Sequence, residues 1–298
     1  MIWEGMPELA RRYMRRIEQD VAPRARDDRL LSAWIEAARA CWCTHVERNP
    51  WGARQRNRAA LEHLEALGDS FIVSFLRLLA ATDEWMLGAF ARAEELFPPV
   101  FTSPGAPHFV SSSVLRFRTM MLVERRKITE ALEQAGSLLQ LASTRDDFFF
   151  TVTARLLLSE CRLLQGDLAG AEEEVRAAGA PARMPPFFRS VRLSLLAEIR
   201  LRQGRAAKAV ELAREALALE RSTAGFFVLR QEVVPVLLVE ALHASGEVDA
   251  AREALREARA ELLARADRIA DPAYRRSFLE NVTARARTMN LARAWLGA

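Results

Sequence analysis

An all-α fold of stacked antiparallel helix pairs is what this 298-residue sequence predicts, and three observations carry the prediction. Glycines recur at Gly166, Gly204 and Gly246, each between two helix-like apolar runs. With these glycines in register the flanking residues fall into columns. Eight and nine residues before each stand the leucine pairs Leu157-Leu158, Leu195-Leu196 and Leu237-Leu238. Six before stand Glu160, Glu198 and Glu240; five after stand Ala171, Ala209 and Ala251, and twelve after stand Ala178, Ala216 and Ala258. Strand signals are missing, with no sustained period-two alternation and no Asn-Gly or Asp-Gly hairpin turn.

Each column has a physical meaning. A glycine that ends a helix takes the left-handed conformation at no steric cost and lets the chain reverse into a second helix. The leucines bury one face of the first helix, while alanines seven apart leave a thin face on the second, where a neighbour can approach closely.

In chain order, the first 67 residues read as three helices, about 6 to 20, 26 to 47 and 52 to 67, bordered by Pro7, Pro23 and Pro50. "FIVSFLRLLAATDEWMLGAFARAEELF" has the helix-turn-helix rhythm, which completes an N-terminal helical region of divergent repeats over 1–97. "PPVFTSPGAPH", 98–108, is a proline-rich loop or hinge. Repeats follow over 109–270, opening with a weaker unit that has Arg126 in the glycine column and Ala131 five beyond. In the last of them Pro235 falls within a helix expected from about 226 to 244 and should kink it. Capping helices close the chain over 271–298, with Asp271 as N-cap and Pro272 as first helical residue, closing an exposed end.

The leucine followed by a small residue (Leu158-Ser159, Leu196-Ala197), the turn glycine and the paired alanines resemble the tetratricopeptide repeat, or TPR. The unit here is longer, 204 minus 166 or 38 residues and 246 minus 204 or 42, against about 34 in the standard repeat. The unit-closing proline is also out of register, and a HEAT-like array is the structural alternative. Residues 150 to 297, and "DPAYRRSFLENVTARARTMNLARAWLG" in particular, resemble the C-terminal repeat tails of bacterial serine/threonine kinase and STAND ATPase (MalT/LuxR-like) regulators. The resemblance implies a right-handed superhelical solenoid with a sensing or recruiting role in bacterial signalling or transcriptional regulation. Its partner would be a protein or peptide, such as a kinase or ATPase effector.

Chemistry-bearing motifs are missing. There is no Gly-Lys-Ser/Thr phosphate loop, no kinase signature, no HExxH and no GxSxG, so the expectation is a non-enzyme without a cofactor. In "CWCTH", Cys41 and Cys43 point about 200° apart on a helix, which leaves Cys41 and His45 as two ligands where zinc needs three or four, so no metal is expected. No run approaches eighteen apolar residues and no secretory signal opens the chain; with only three cysteines, a cytoplasmic protein away from membranes is expected.

The glutamate column is the sharpest candidate site. In a TPR array the residue just past the leucine-small pair faces the concave groove, so Glu160, Glu198 and Glu240 would form an acidic ladder. Two readings stand: each glutamate pairs with an arginine of the array, such as Arg155, Arg192 or Arg202, or the ladder takes a basic peptide segment. Aromatic pairs open the first helices at Phe149-Phe150, Phe187-Phe188 and Phe226-Phe227, either as staples between repeats or as a lipophilic groove. The net charge of +4 resides in residues 1–60, which hold twelve arginines against eight acidic residues. The stripe Arg11, Arg12, Arg15 and Arg16, with Arg54, Arg56 and Arg58, therefore supports an alternative nucleic-acid-binding reading for the N-terminal third.

Overall fold

The computed structural model describes residues 7–25, 27–64, 71–100, 108–180, 184–222, 230 and 232–297. Helix α1 (Pro7–Arg16) runs into a π-turn and a short 3-10 turn that ends at Arg24. Six helix pairs follow: α2 (Arg29–His45) with α3 (Pro50–Leu64), α4 (Phe71–Met86) with α5 (Phe90–Leu96), α6 (His108–Glu124) with α7 (Ile128–Ser143), α8 (Phe148–Gln165) with α9 (Leu168–Ala177), α10 (Pro186–Arg202) with α11 (Ala206–Ser222), and α12 (Val233–Ala244) with α13 (Val248–Ala266). The shorter pair α14 (Pro272–Glu280) and α15 (Thr283–Leu296) comes last. No strand occurs among the described residues, so the fold is all-α.

The turns show why these segments form pairs. Gly166, Gly204 and Gly246 have φ of 86°, 74° and 87°. The amide following each one reaches back to a carbonyl in the last turn of the first helix: Asp167 to Arg162 at 3.0 Å, Arg205 to Arg200 at 2.9 Å and Glu247 to Leu242 at 3.0 Å. This is the Schellman closure, which satisfies otherwise orphaned carbonyls. Upstream, Gly88 (φ 76°) and the non-glycine Arg126 (φ 58°) close the same way, through Ala89 to Glu84 and Lys127 to Leu122, both 2.9 Å. Arg48, with φ 51°, makes the corresponding turn after α2.

The register therefore extends through all six pairs, with turn residues 48, 88, 126, 166, 204 and 246. Five residues after each stands a fully buried alanine: Ala53, Ala93, Ala131, Ala171, Ala209 and Ala251 are all 0% exposed. A methyl group at these points lets the second helix sit against its partner's backbone. Asp28, Asp147, Asp167 and Asp271 cap α2, α8, α9 and α14, each accepting a hydrogen bond from a backbone amide two or three residues on.

Consecutive first helices also touch, α4 with α6, α6 with α8, α8 with α10 and α10 with α12. The main core runs along this line from Leu78 to Ile199. Phe150, Phe187 and Phe188 are buried within it, and Phe149 packs across the α8–α10 junction with ring centroids 6.2 Å from Phe187 and 5.3 Å from Phe188. This is the geometry of a staple between repeats. Phe226 and Phe227, and most of the 98–108 segment, lie outside the described residues.

Two expectations are corrected. Pro235 does not kink a long helix, because α12 begins at Val233 and places the proline in its first turn, where no intrahelical amide is needed. The α14–α15 pair does not face an exposed end either. Tyr274 and Phe278 are buried in a cluster with Leu87, Leu262, Ala266 and Ile269, flanked by Trp51, so the last pair packs against the first two.

Candidate functional site

The C-terminal ends of the first helices line up their carboxylates. Glu124 of α6, Glu160 of α8, Glu198 of α10 and Glu240 of α12 line one wall, while Glu84 of α4 and Glu232, just before α12, take partners outside it. Glu160 and Glu198 are 9% and 7% exposed, so their charges need partners.

Arginines from distant segments supply them. Arg230 donates from Nη1 to Glu160 Oε1 at 2.8 Å and from Nη2 to Glu198 Oε2, bridging the two neighbouring repeats. Arg202, one turn further along α10, donates to the other Glu198 oxygen at 2.7 Å. Arg287 of α15 binds both oxygens of Glu240 through Nε and Nη2. Arg155, a candidate partner by sequence, instead pairs with Glu174 at 2.9 Å. A cavity of about 80 Å³ remains between this wall and α15, lined by Glu124, Glu160, Glu198, Arg230, Thr283 and Arg287 among others.

The protonation states follow from these partners. Burial pushes Glu198 up, but Arg230 and Arg202 outweigh it and hold the carboxyl at about 2. Glu160 shares Arg230 with a nearby like charge, and burial leaves it above its ordinary value. Glu240 is also raised by burial, with Arg287 opposing. Glu232 is driven the other way: burial raises it, and Arg265 and Arg285 together hold it well below the carboxylate range.

The last helix pair adds a second polar layer. Arg285 donates to the Met86 carbonyl at 2.6 Å and to Glu232 Oε1 at 3.0 Å, with its guanidinium 3.8 Å from the Phe278 ring centroid. The Tyr274 hydroxyl donates to Glu84 Oε2 at 2.8 Å, while Arg54 Nε donates to Glu84 Oε1 at 2.6 Å. Arg92 donates to the Tyr274 oxygen at 2.5 Å, the Asn281 side chain to the Gly88 carbonyl at 2.9 Å, and the Thr283 amide to Glu124 at 2.9 Å. Apart from the turn residue Gly88, none of these residues stands in the repeat columns. Their only sequence-level signal is the Arg285-Ala-Arg287 spacing, which sends two arginines to opposite sides of one helix.

The other candidates fall elsewhere. Cys43 borders a cleft of about 610 Å³ beside α1, lined also by Arg11, Arg15, Arg39, Trp42 and Arg56. Cys41 and His45 face a small polar pocket with Asn57 and Asp83, where burial pushes the Cys41 thiol up to about 12 and His45 down to about 3. The neutral thiol is a poor nucleophile there. In the N-terminal arginine set, Arg11 pairs with Glu8, Arg54 with Glu84, Arg56 with Glu36 and Arg58 with Glu62. Arg12 and Arg15 stay exposed. Among the described residues no helix is long and apolar enough to cross a membrane.

No protein-family model matches this chain, and no curated protein matches it. The repeat resemblance therefore rests on the residue columns and the turn geometry.

Proposed function

We propose that this chain is a non-catalytic, TPR-like interaction module, a right-handed superhelical array whose acidic wall binds an arginine-bearing helical or peptide segment of a protein partner. The observation that carries the reading is that the wall already receives guanidinium groups from three different segments: Arg202 from within α10, Arg230 from before α12 and Arg287 from α15. A surface built of paired carboxylates recognises planar, bidentate donors and repels phosphate backbones. A role in bacterial signalling or transcriptional regulation, with a kinase or ATPase effector as partner, follows from the resemblance of residues 150 to 297.

The test is a pull-down at two salt concentrations, with and without nuclease, followed by amide exchange on the complex. A nuclease-resistant protein partner that protects α8, α10 and α12 supports the module. Nuclease-sensitive binding that protects α1 and the arginines near it instead moves the function to the N-terminal third and sinks the acidic-wall reading.

A further inference from the structure

The acidic wall is not open. Helix α15 lies against it, with Arg287 on Glu240 and the Thr283 amide on Glu124, while Arg285 turns to Glu232 on the other side of the helix. The two contacts on the wall present a guanidinium group and a backbone donor from one helix, the chemistry proposed above for the partner. We propose that the α14–α15 hairpin is an internal competitor, a clasp that occupies the partner surface and must be released before an arginine-bearing segment can bind. The inference rests on the acidic-wall reading and adds its regulation.

Three features of the hairpin fit a releasable element. Its attachment to the first repeats is carried by single polar side chains: Tyr274 on Glu84, Asn281 on the Gly88 carbonyl and Arg285 on the Met86 carbonyl. Buried polar contacts of this kind specify one arrangement while contributing little net stability. Apolar anchoring on that side centres on Tyr274 and Phe278 against Leu87, Ala89 and Trp51, with Leu279 and Met289 at its edge. On the other side α15 keeps a separate hold on the sixth repeat through Ala292, and through Trp295, which stacks on His243 at 4.4 Å. Loss of the polar contacts would therefore free α14 and the start of α15 without detaching the chain.

Gly88 supplies the handle for a test. A methyl group there would lie 2.3 Å from the Ser277 carbonyl oxygen of α14, whereas at Gly166, with the same left-handed backbone, it would meet nothing within 4 Å. Gly88→Ala thus blocks the seat of α14, and Gly166→Ala carries the same backbone strain without touching the clasp. A second opened variant, Tyr274→Phe with Asn281→Ala, removes three hydrogen bonds and leaves the turn intact.

The probe is a labelled synthetic peptide copying residues 272–297, titrated against the 298-residue parent and each variant by anisotropy, with amide exchange followed in parallel. Both opened variants should exchange faster in α14 and the first turns of α15 than the parent does, and bind the peptide about tenfold more tightly, since a larger binding-competent fraction raises apparent affinity in proportion. Gly166→Ala should match the parent. The same peptide carrying Arg285→Gln and Arg287→Gln should lose the gain. If α14–α15 exchanges only with global unfolding in the parent and in both opened variants, the hairpin is a fixed part of the fold and the clasp is wrong. If the parent binds the peptide as tightly as the opened variants, the wall takes arginine but the hairpin does not compete. If the variants open and bind no peptide, the acidic-wall reading itself falls.

Discussion

Two kinds of junction hold this molecule together, and they mix apolar and polar contacts in different proportions. Between repeats, as at α8 and α10, the contact is mainly apolar, Phe149 on Phe187 and Phe188, with Arg230 bridging Glu160 and Glu198 at one end. Where the last pair meets the first two, a small apolar patch of Tyr274, Phe278, Leu87 and Trp51 is joined by single hydrogen bonds and ion pairs around Glu84, Tyr274 and Arg285. The first kind is additive in buried area and tolerant of detail. The second depends on each partner being in place, because an unpaired buried polar group costs more than the pair contributes. Stability should thus reside in the repeat junctions, and choice of conformation in the seam.

The largest expected effect breaks the apolar side of that contrast. Phe188→Ala removes a ring that is 2% exposed and should cost about 3–5 kcal/mol in urea unfolding, lowering the midpoint for the whole array. A loss below about 1 kcal/mol would mean that the repeats are not held by their aromatic staples.

Next comes the seam. Arg285→Met keeps the volume over Phe278 but leaves the Met86 carbonyl without this donor, while Glu232 retains Arg265 at 2.7 Å. A cost of about 2 kcal/mol, with faster amide exchange confined to α14–α15 and the turn at Gly88, is expected. Exchange rising evenly across α8–α13 would erase the distinction between the two junctions.

A pH dependence sharpens the seam further. Burial pushes the Glu220 carboxyl up to about 8, with Arg48 and Arg265 opposing and Glu232 and Glu261 reinforcing. Between its ordinary 4.5 and that value the folded chain binds more protons than the unfolded one, so this group's contribution to stability falls as pH rises through the window. Glu220→Gln should flatten the unfolding free energy between pH 5 and 8. An unchanged slope would show that Glu220 ionises freely in the folded chain.

At the small end, Glu173→Ala removes a surface pair with Arg176 in which both side chains are 67% exposed, and should change stability by less than about 0.5 kcal/mol. A larger effect would mean that surface pairs contribute to the array, which the contrast between junctions denies.

Much of the repeat body was legible because local chemistry repeats there. Gly166, Gly204 and Gly246 announce left-handed turns, and the alanines five and twelve residues on announce close helix packing. The first two pairs show only the rhythm in sequence, since Arg48 stands in place of a glycine and Gly88 is preceded by Ala80 and Thr82 rather than the column leucine and glutamate, although Ala53 and Ala60 keep the spacing and both are 0% exposed. Glutamates in a column could be found by alignment, and so could Arg202, one turn beyond Glu198; Arg230 and Arg287, which reach Glu160, Glu198 and Glu240 from distant segments, could not.

The sequence by itself determined the helix pairs, their turns and the line of carboxylates, because each follows from residues within one turn or one repeat of each other. Tertiary structure alone decided that Tyr274 meets Glu84, 190 residues away, and that Arg285 meets Met86, 199 away. Contacts across so many residues depend on how all the intervening helix pairs pack, which no local pattern records. That packing brings α14 onto the turn at Gly88 and Arg287 of α15 onto Glu240.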